Sequence, residues 1–237
     1  MSYNIRHGEG MDEKLDLSRI ANIIKRQKPD LCGLQEIDQF CKRSNSIDQS
    51  QFLARSTGMQ GSFGKFMEYQ EGAYGMATLS GLPLISTKVL SLPDAKNEPR
   101  SSIIHEVEIV EDCAIVFANV HLDWIKGEEG VTNRMNQAKA LINDINKLNK
   151  ASIIIGDFNC TPASPTMNYF KKQGFIFVEK GADNLSFQGE NRSEIDHVLY
   201  RNSDEISFQI KTIQLLKEKL ASDHRPLIAD LEVTFYQ

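Results

Sequence analysis

The sequence predicts an α/β (α+β) domain in which strands and helices alternate near both ends of the chain. Two short apolar runs, 1–7 and 31–36, flank a helical pattern, which is the order of a strand–helix–strand unit. Between residues 62 and 120 the chain instead shows consecutive strand-like runs separated by Gly, Pro and Asp. No internal repeat, low-complexity tract or linker interrupts the pattern, so residues 1–237 are expected to form one domain.

The N-terminal unit brings two polar residues to one edge of the predicted sheet. Its helix is predicted with Asp16 as the cap and Pro29 as the stop, from apolar residues at helical spacing: Leu17, Ile20, Ala21 and Ile24. The two strands of such a unit lie side by side, and their carboxyl ends meet. A glutamate that ends an apolar strand is more often only a solvated terminus. Because Glu36 ends the second strand while Asn4 lies on the first, both become candidate site residues.

The remaining elements follow from the same two periodicities. A short helix over 47–58 is predicted, with Asp48 as its cap and Gly58 as its end. Strands are predicted over 62–67, 74–79, 85–90, 103–110 and 114–120. An amphipathic helix over 135–148 precedes a strand ending at 153–155 and a helix over 164–173. The chain ends with a strand over 195–200, a short helix or packed loop around 215–220, and a strand over 227–235.

Charge and composition limit the classes of function. The 237 residues carry a net charge of −5, which argues against a broad basic face for long duplex DNA. No run approaches the roughly 18 apolar residues of a membrane span, and no basic-then-apolar leader is present. Gly8 and Gly10 follow the first strand, but Glu13 stands where a dinucleotide-binding fingerprint needs a third glycine. A nucleotide-binding oxidoreductase is therefore disfavoured.

The cysteines favour a reducing compartment. They form no CxxC pair and lack zinc-ligand spacing; they are Cys32, Cys41, Cys113 and Cys160. Free thiols of this kind predict a cytoplasmic protein, and we expect a monomer. Because Met1 stands almost inside the first strand, an upstream segment that includes an export signal stays an open alternative.

The strand at 153–155 ends in a carboxylate and an amide. Its three consecutive isoleucines are typical of a strand that is buried on both faces, and Gly156 breaks the run. Asp157 and Asn159 stand two positions apart, and such positions share a face on an extended chain, so both are predicted to point into one cleft. For this stretch alone, the alternative is an Asx-turn that only finishes the strand.

Similar polar residues stand at other predicted strand ends. His121 follows the strand at 114–120, Asp196 lies in the strand at 195–200, and Asp223 and His224 precede the last strand. The two histidines are candidate proton carriers, and Asp196 is a candidate partner that orients an imidazole. The candidate oxygen ligands for a hard cation such as Mg²⁺ are Asn4, Glu36, Asp157, Asn159 and Asp223. Oxygen ligands with histidine, and without clustered cysteines or three histidines, indicate phosphoryl chemistry rather than a zinc hydrolase.

Six short motifs carry these residues in a fixed order. They are Ser2-Tyr3-Asn4-Ile5-Arg6, Leu34-Gln35-Glu36, Asn119-Val120-His121-Leu122-Asp123, Gly156-Asp157-Phe158-Asn159, Ile195-Asp196-His197-Val198 and Ser222-Asp223-His224-Arg225-Pro226. Together they resemble the endonuclease/exonuclease/phosphatase family, and the match spans the chain from Ser2 to Pro226. The opening motif is most similar to compact bacterial metal-dependent hydrolases of that family.

The resemblance implies a fold and a division of roles. It implies a deoxyribonuclease I-like four-layer sandwich, with two facing, mostly antiparallel sheets flanked by helices. It also implies a Mg²⁺ ion, replaceable by Mn²⁺, that is held by Glu36 with Asn4 and Asp223 nearby. By the same resemblance, Asp157 would orient or deprotonate the attacking water, and Asn159 would position the phosphate or the water. His224 would pair with Asp196 and contact the phosphoryl oxygens, while His121 would support the phosphate or the leaving oxygen.

The expected activity is divalent-metal-dependent hydrolysis of a phosphoester, a phosphodiester rather than a monoester. Arg100 and Arg134 are candidate phosphate-binding residues. The acidic net charge and the single tryptophan favour a small-molecule or lipid-derived substrate over long duplex DNA. Two alternatives stay open: a nuclease of the same family that acts on DNA or RNA, and a non-catalytic module that keeps the fold for binding.

Overall fold

The computed structural model describes residues 1–93 and 98–236, which form helices and strands in alternation. The helices are α1 (Leu17–Gln27), α2 (Gln49–Thr57), α3 (Gly127–Asn146) and α4 (Pro165–Lys172). The first strands are β1 (Ser2–Asn4), β2 (Leu31–Gln39), β3 (Gln60–Tyr69), β4 (Gly72–Ser80), β5 (Leu84–Leu92) and β6 (Arg100–Val110). The others are β7 (Cys113–His121), β8 (Ser152–Asp157), β9 (Ile176–Phe177), β10 (Asp196–Arg201), β11 (Ile206–Leu215) and β12 (Leu227–Phe235).

The strands form two six-stranded sheets. The first sheet has the order β11-β12-β1-β2-β4-β3, and the second has the order β5-β6-β7-β8-β10-β9. Only β1 with β2 and β7 with β8 pair in parallel among the described strands, and the other pairs are antiparallel. The predicted fold class, two facing and mostly antiparallel sheets flanked by helices, is confirmed.

The alternation of side chains along β8 accounts for the four layers. Ile154 packs outward against α3 and α4, in a cluster with Leu141 and Phe170. Ile153 and Ile155 point the other way and meet residues of both sheets in the central core. The three isoleucines are therefore consecutive because both faces of β8 are covered. On the opposite side of the sandwich, α1 and α2 cover the first sheet through a third apolar cluster.

Helix boundaries follow the capping residues that the sequence predicts. Asp16, Asp48 and Ser164 each accept a hydrogen bond from the first turn of their helix. At the other end of α2, Gly58 has a φ of 73°, in the left-handed region that ends a helix. Lys28 adopts this conformation at the end of α1, with a φ of 50°, directly before the predicted stop at Pro29.

Several predicted elements differ from the structure. The strand predicted over 1–7 stops at Asn4, because Arg6 and His7 adopt positive φ values and form a turn of 3₁₀ helix. The strand predicted over 31–36 continues to Gln39 beyond a bulge. The short helix or packed loop predicted around 215–220 is a loop, and the strand before it, Ile206–Leu215, went unpredicted. That strand lies at the edge of its sheet and carries many exposed polar residues, so its apolar alternation is weak.

Within residues 1–93 and 98–236, no helix combines the length and the apolar character that crossing a membrane requires.

Candidate active site

Three neighbouring strands of the second sheet carry a row of polar residues at one end. His121 ends β7 and Asp157 ends β8, and the parallel register pairs these two residues. Asp196 begins β10, and the antiparallel register places it opposite Asp157 on the other side. Paired residues project to the same face of a sheet, so the three buried side chains are neighbours. The His121 Nε2 atom is 3.5 Å from Asp157 Oδ2.

The backbone next to Asp157 requires glycine on one side and a turn on the other. Gly156 has a φ of +147°, and a Cβ atom there would lie 1.9 Å from the carbonyl oxygen of Val120. Asn159 has a φ of 48°, and its N–H donates to Asp157 Oδ1 at 2.9 Å. This is an Asx-turn, so the extended-chain argument for a shared face was wrong at Asn159. Asn159 nevertheless lines the same cleft as Asp157.

The first sheet contributes an amide and a carboxylate from its two parallel strands. Glu36 lies at a β-bulge in β2 with a φ of 59°, and such a bulge re-aims a side chain. The Asn4 Nδ2 atom donates to Glu36 Oε1 at 2.9 Å and to Asp157 Oδ2 at 3.2 Å. Asn4 Oδ1 accepts a hydrogen bond from the Arg6 N–H at 3.1 Å. A single amide therefore joins carboxylates of both sheets.

The loop before β12 adds the last two predicted residues. Ser222 Oγ donates to the Asn4 carbonyl oxygen at 2.8 Å and accepts the His224 N–H at 3.2 Å. This serine anchors the loop to β1 and turns Asp223 and His224 towards the other site residues. The His224 Nδ1 atom is 2.8 Å from Asp196 Oδ2, and its Nε2 atom is 3.6 Å from Asp157 Oδ2. Asp196 and His224 therefore lie within hydrogen-bond distance of each other, as predicted.

The imidazole of His224 is positively charged near neutral pH. Burial alone would lower the pKa of His224, but the carboxylates of Asp196 and Asp157 outweigh burial and raise it to about 10. Burial also opposes charge on Asp196, yet the nearby His224 lowers the pKa of that carboxyl. For Asp157, burial and then the charge of Asp196 raise the pKa above its usual range. The three groups therefore differ in proton affinity although they lie side by side.

His121 differs from His224 although both are buried in the same site. Burial, followed by the positive charges of Arg100 and His224, holds the pKa of His121 well below its usual range. Its Nδ1 atom has no hydrogen-bond partner among the described residues, and its ring packs edge-on against Phe66 with centroids 5.9 Å apart. His121 is therefore a neutral imidazole near pH 7.

The two arginines predicted to bind phosphate have different surroundings. Both are buried and line the cleft. Arg100 Nη1 bonds Glu98 Oε1 at 2.6 Å, and its guanidinium lies 5.4 Å from the centroid of the Phe66 ring. Arg134 Nη1 instead donates to the carbonyl oxygens of Asp123 and Ile125, at 2.8 and 2.9 Å. Arg134 thus fixes the loop after β7, whereas Arg100 is held by one side chain.

Eight of the ten predicted site residues line one cleft of about 910 Å³. They are Glu36, Arg100, His121, Arg134, Asp157, Asn159, Asp223 and His224. The other two, Asn4 and Asp196, bond to lining residues. The structure therefore brings the whole predicted set together, although the residues are far apart along the chain.

The sequence model of the endonuclease/exonuclease/phosphatase family matches residues 1–224, which is most of the chain. The chain belongs to this family. A search of curated protein sequences gives no significant match.

Solved structures of the endonuclease/exonuclease/phosphatase family share the fold. One from Beutenbergia cavernae DSM 12333 has a TM-score of 0.81 at 18% identity, over 97% of this chain and 70% of that one. A mannosyl-6-phosphatase from Bacteroides thetaiotaomicron has a TM-score of 0.72 at 18% identity, over 98% of each chain. ANGEL2, a 2′,3′-cyclic phosphatase in complex with adenosine-2′,3′-vanadate, has a TM-score of 0.77 at 16% identity, over 97% of this chain and 94% of that one.

Members of the endonuclease/exonuclease/phosphatase family are generally phosphoester hydrolases that use a divalent metal ion, and the donors of this site fit one. Among the described residues, ligand atoms of Asp157, Asp196 and His224 gather within 4.8 Å of one another. Asp196 and His224, however, already neutralise each other through a hydrogen bond. Within residues 1–93 and 98–236 the Glu36 carboxyl has no ion-pair partner, and burial, and then the charge of Asp223, raise its pKa. Glu36 and Asp223 are thus neighbouring carboxylates, and carboxylate oxygens are the ligands that a hard divalent cation favours.

A buried lysine behind the site was missed by sequence reasoning. Lys180 Nζ bonds the Asp196 carbonyl oxygen at 3.1 Å, His197 Nδ1 at 3.2 Å and Glu194 Oε1 at 2.6 Å. His197 Nε2 in turn bonds the carbonyl oxygen of Cys160 at 2.8 Å. Burial lowers the pKa of His197 to about 3, so this ring is neutral and links the start of β10 to the turn after β8. The His197 in the motif was the one available signal.

An arginine in the cleft wall, Arg43, was not among the predicted site residues. Arg43 makes two hydrogen bonds of 2.8 Å to the buried carboxylate of Asp38. Its guanidinium stacks on Tyr69 and Tyr74, at 4.6 and 4.9 Å from the ring centroids. These groups form a rigid polar and aromatic wall, which no local spacing in the sequence reveals.

Proposed function

We propose that this chain is one catalytic domain that hydrolyses a phosphodiester by in-line attack of water, with Mg²⁺ or, in its place, Mn²⁺. The observation that carries the proposal is the position of Asp157. Its Oδ2 atom lies 3.5 Å from His121 Nε2, 3.6 Å from His224 Nε2 and 3.2 Å from Asn4 Nδ2. A buried carboxylate with several donors around it, at the wall of a cleft, has the position that a general base needs.

Asp157 orients the attacking water and accepts its proton. Burial and the charge of Asp196 raise the pKa of Asp157, which brings its proton affinity nearer to neutral pH. The Asn159 N–H holds Oδ1 at 2.9 Å, so the carboxylate cannot rotate freely. Asn159 itself donates through Nδ2 to the Leu122 carbonyl oxygen at 3.0 Å, which leaves its amide oxygen to position the water or the phosphate.

His224 supplies positive charge where the transition state gains negative charge. Its Nδ1 proton is held by Asp196, so Nε2–H is the donor that faces Asp157 and the cleft. A fixed cation of this kind stabilises phosphoryl oxygens more than a solvated one, because it needs no reorganisation. Arg100 adds a second cation in the cleft wall. His121 contributes a neutral Nε2–H beside Asp157, which supports the phosphate or the leaving oxygen.

Glu36 and Asp223 would hold the metal ion, and Asn4 keeps the Glu36 carboxylate in place through its 2.9 Å hydrogen bond. When bound, the ion supplies positive charge that polarises the phosphoryl group and offsets charge on its oxygens. The Asn4 amide oxygen accepts the Arg6 N–H, so Asn4 acts by orienting Glu36 and Asp157. Direct ligation by Asn4 stays a prediction of the family resemblance.

A diester is favoured over a monoester by the charge of the site. Of the ten candidate site residues, four are carboxylates (Glu36, Asp157, Asp196 and Asp223) and three are cations (Arg100, Arg134 and His224), since His121 is neutral. A monoester dianion brings one more negative charge than a diester into these surroundings. The relatives described as a mannosyl-6-phosphatase and a 2′,3′-cyclic phosphatase support phosphoesters of small molecules as the substrate class.

A metal-dependent screen tests the proposal. Turnover of bis-p-nitrophenyl phosphate, p-nitrophenyl phosphate, single-stranded and abasic DNA, and sphingomyelin is measured in Mg²⁺, in Mn²⁺ and in EDTA. We expect turnover of the diester in either metal and none in EDTA. Metal binding without turnover of any of these compounds would indicate a binding module instead, and preferred cleavage of DNA would favour the nuclease alternative.

A further inference from the structure

A second cleft, of about 620 Å³, adjoins the active site. Phe187 lines both clefts, and its ring packs against that of His224 with centroids 5.1 Å apart. Gln188 also lines the second cleft; its N–H donates to the Asp223 carbonyl oxygen at 2.7 Å, and its Nε2 atom donates to the Ser222 carbonyl oxygen at 3.2 Å. The wall of the second cleft is therefore hydrogen-bonded to the loop that carries Asp223 and His224.

The second cleft is basic, whereas the whole chain is acidic with a net charge of −5. Arg192, Lys217 and Lys219 line it and are exposed. Within the described ranges 1–93 and 98–236, none of the three makes an ion pair. Three exposed cations that form no short ion pair, gathered in one concave surface, raise the local concentration of anions.

The acidic residue in this cleft does not neutralise the three cations. Asp183 is the only carboxylate that lines the described part of the cleft, and it forms a bidentate pair with Arg225 at 2.7 and 2.8 Å. These two parallel hydrogen bonds fix the orientation of the Asp183 and Arg225 side chains relative to each other. Asp183 also interacts electrostatically with Lys217, yet the described lining, with Arg192, Lys217, Lys219 and Arg225 against Asp183, keeps a net charge of +3.

Arg225 also holds the two walls of the cleft together. Its guanidinium donates to the carbonyl oxygens of Leu185 at 3.3 Å, of Leu215 at 3.0 Å and of Leu216 at 2.9 Å. Leu185 belongs to one wall, and Leu215 and Leu216 begin the loop that carries the two lysines. The cleft is thus formed by the protein itself before any ligand arrives, which lowers the entropic cost of binding.

We infer that this cleft, which we call the basic cleft, binds a second anionic group of the substrate while the scissile phosphoester lies in the active site on the other side of Phe187. The inference rests on the proposed function. It narrows the substrate to a phosphoester that carries at least one further phosphate or comparable anion. A bisphosphorylated small molecule and a short single-stranded oligonucleotide share this chemistry.

Equilibrium binding separates this inference from catalysis. Binding of 5′-phosphorylated oligothymidylates with one, two, three and four phosphates is measured by calorimetry in EDTA, where no metal-dependent turnover occurs. The test variant is Lys217→Gln/Lys219→Gln. The matched control, Lys25→Gln/Lys139→Gln, removes the same charge from exposed helical positions that line neither cleft.

We expect affinity to rise about 10-fold at the first length that reaches the basic cleft, in the wild type and the control but not in the test variant. This increase in affinity should disappear in about 1 M NaCl, where the Debye length is roughly 3 Å and charge–charge attraction is screened. An increase confined to two phosphates indicates a small bisphosphate, and a further increase at four indicates an oligonucleotide. Equal affinities of wild type and test variant at every length would overturn the inference.

The activity assay has a separate outcome. If the increase in affinity is present but no phosphoester is hydrolysed in Mg²⁺ or Mn²⁺, the proposed function fails and the anion-binding cleft stands. If the protein hydrolyses single phosphodiesters while the test variant binds all lengths as the wild type does, the cleft is not a substrate subsite and the proposed function stands.

Discussion

The two halves of the candidate active site differ in how their buried charges are balanced. In the imidazole half, formed by Asp157, Asp196 and His224, a protonated ring lies 2.8 Å from one carboxylate and 3.6 Å from another. In the carboxylate half, formed by Glu36 and Asp223, the charge of Asp223 adds to the cost of burying the Glu36 carboxylate. The guanidinium of Arg6 lies at this half, with its Nε atom 3.9 Å from Asp223 Oδ2.

In the imidazole half the protein itself supplies the balancing positive charge, whereas in the carboxylate half a bound cation must supply it. The imidazole half is preorganised: the Asn159 N–H holds the Asp157 carboxylate, and hydrogen bonds of the backbone N–H groups to Ser186 and Ser222 hold Asp196 and His224 in place. The carboxylate half has fixed positions but an unbalanced charge, which a divalent cation would balance. Variants of the first half should therefore alter stability and turnover, whereas variants of the second should alter the response to metal.

The largest expected effect tests the support behind the imidazole half. Lys180→Met should lower the free energy of unfolding by about 3–5 kcal/mol, because Glu194 is left as a largely buried charge without its partner. Chemical denaturation measures this loss. The double variant Lys180→Met/Glu194→Gln should recover a part of it. A single variant as stable as the wild type would show that Lys180 is not a structural support of β10.

Replacing the proposed base tests the imidazole half directly. Asp157→Asn keeps the size of the side chain but removes the carboxylate, so turnover of bis-p-nitrophenyl phosphate should fall about 100- to 1,000-fold, or about 2.7–4 kcal/mol in barrier. Steady-state kinetics in Mg²⁺ measures the fall, and a thermal scan checks that the protein stays folded. Wild-type turnover by the folded variant would contradict the role of Asp157.

Binding of Mg²⁺ at the carboxylate half should stabilise the folded protein, and this stabilisation should depend on Glu36. Mg²⁺ at about 100 times its dissociation constant should stabilise the wild type by about 2.7 kcal/mol, since only the folded state holds the ligands together. Glu36→Gln should lose this stabilisation and should be at least as stable as the wild type in EDTA, because a buried carboxylate beside Asp223 is gone. Unfolding with and without Mg²⁺ measures both. Equal Mg²⁺ stabilisation in the two proteins would exclude Glu36 as a ligand.

Alkaline pH should reduce the contribution of the imidazole half to stability, but not that of the carboxylate half. The pKa of His224 is raised to about 10, so its contribution to stability is full below the unfolded value of about 6.5 and is lost as pH rises towards 10. Asp196→Asn should narrow this pH window, since Asp157 still raises the pKa of His224, and should cost about 2 kcal/mol at pH 7, the scale of a hydrogen bond to a charged group. Unfolding of both proteins between pH 6 and 10 tests the sign. A wild type that gains stability relative to the variant over this range would contradict it.

The sequence predicted the members of the site better than their geometry. Strand ends carry Asn4, His121 and Asp157, and the register of a sheet makes strand ends neighbours, so these residues could be found from local patterns. Glu36 was expected to end a strand, but it lies at a bulge inside β2, and a bulge depends on pairing with β4. Lys180 itself carried no signal, because its partners lie in a separate segment, residues 194–197, and its burial depends on the packed sheets.

The sequence also could not separate Arg100 from Arg134, and their contacts give the smallest predicted effects. Arg100→Gln should weaken substrate affinity about 10-fold, or about 1.4 kcal/mol, because one cation leaves the cleft. Arg134→Gln should mainly lower stability, by about 1 kcal/mol, since the carbonyl oxygens of Asp123 and Ile125 lose their donor. KM and unfolding measured for both variants distinguish the two roles. A larger KM change in Arg134→Gln than in Arg100→Gln, with stability intact, would reverse the assignment and make Arg134 the arginine that contacts the phosphate.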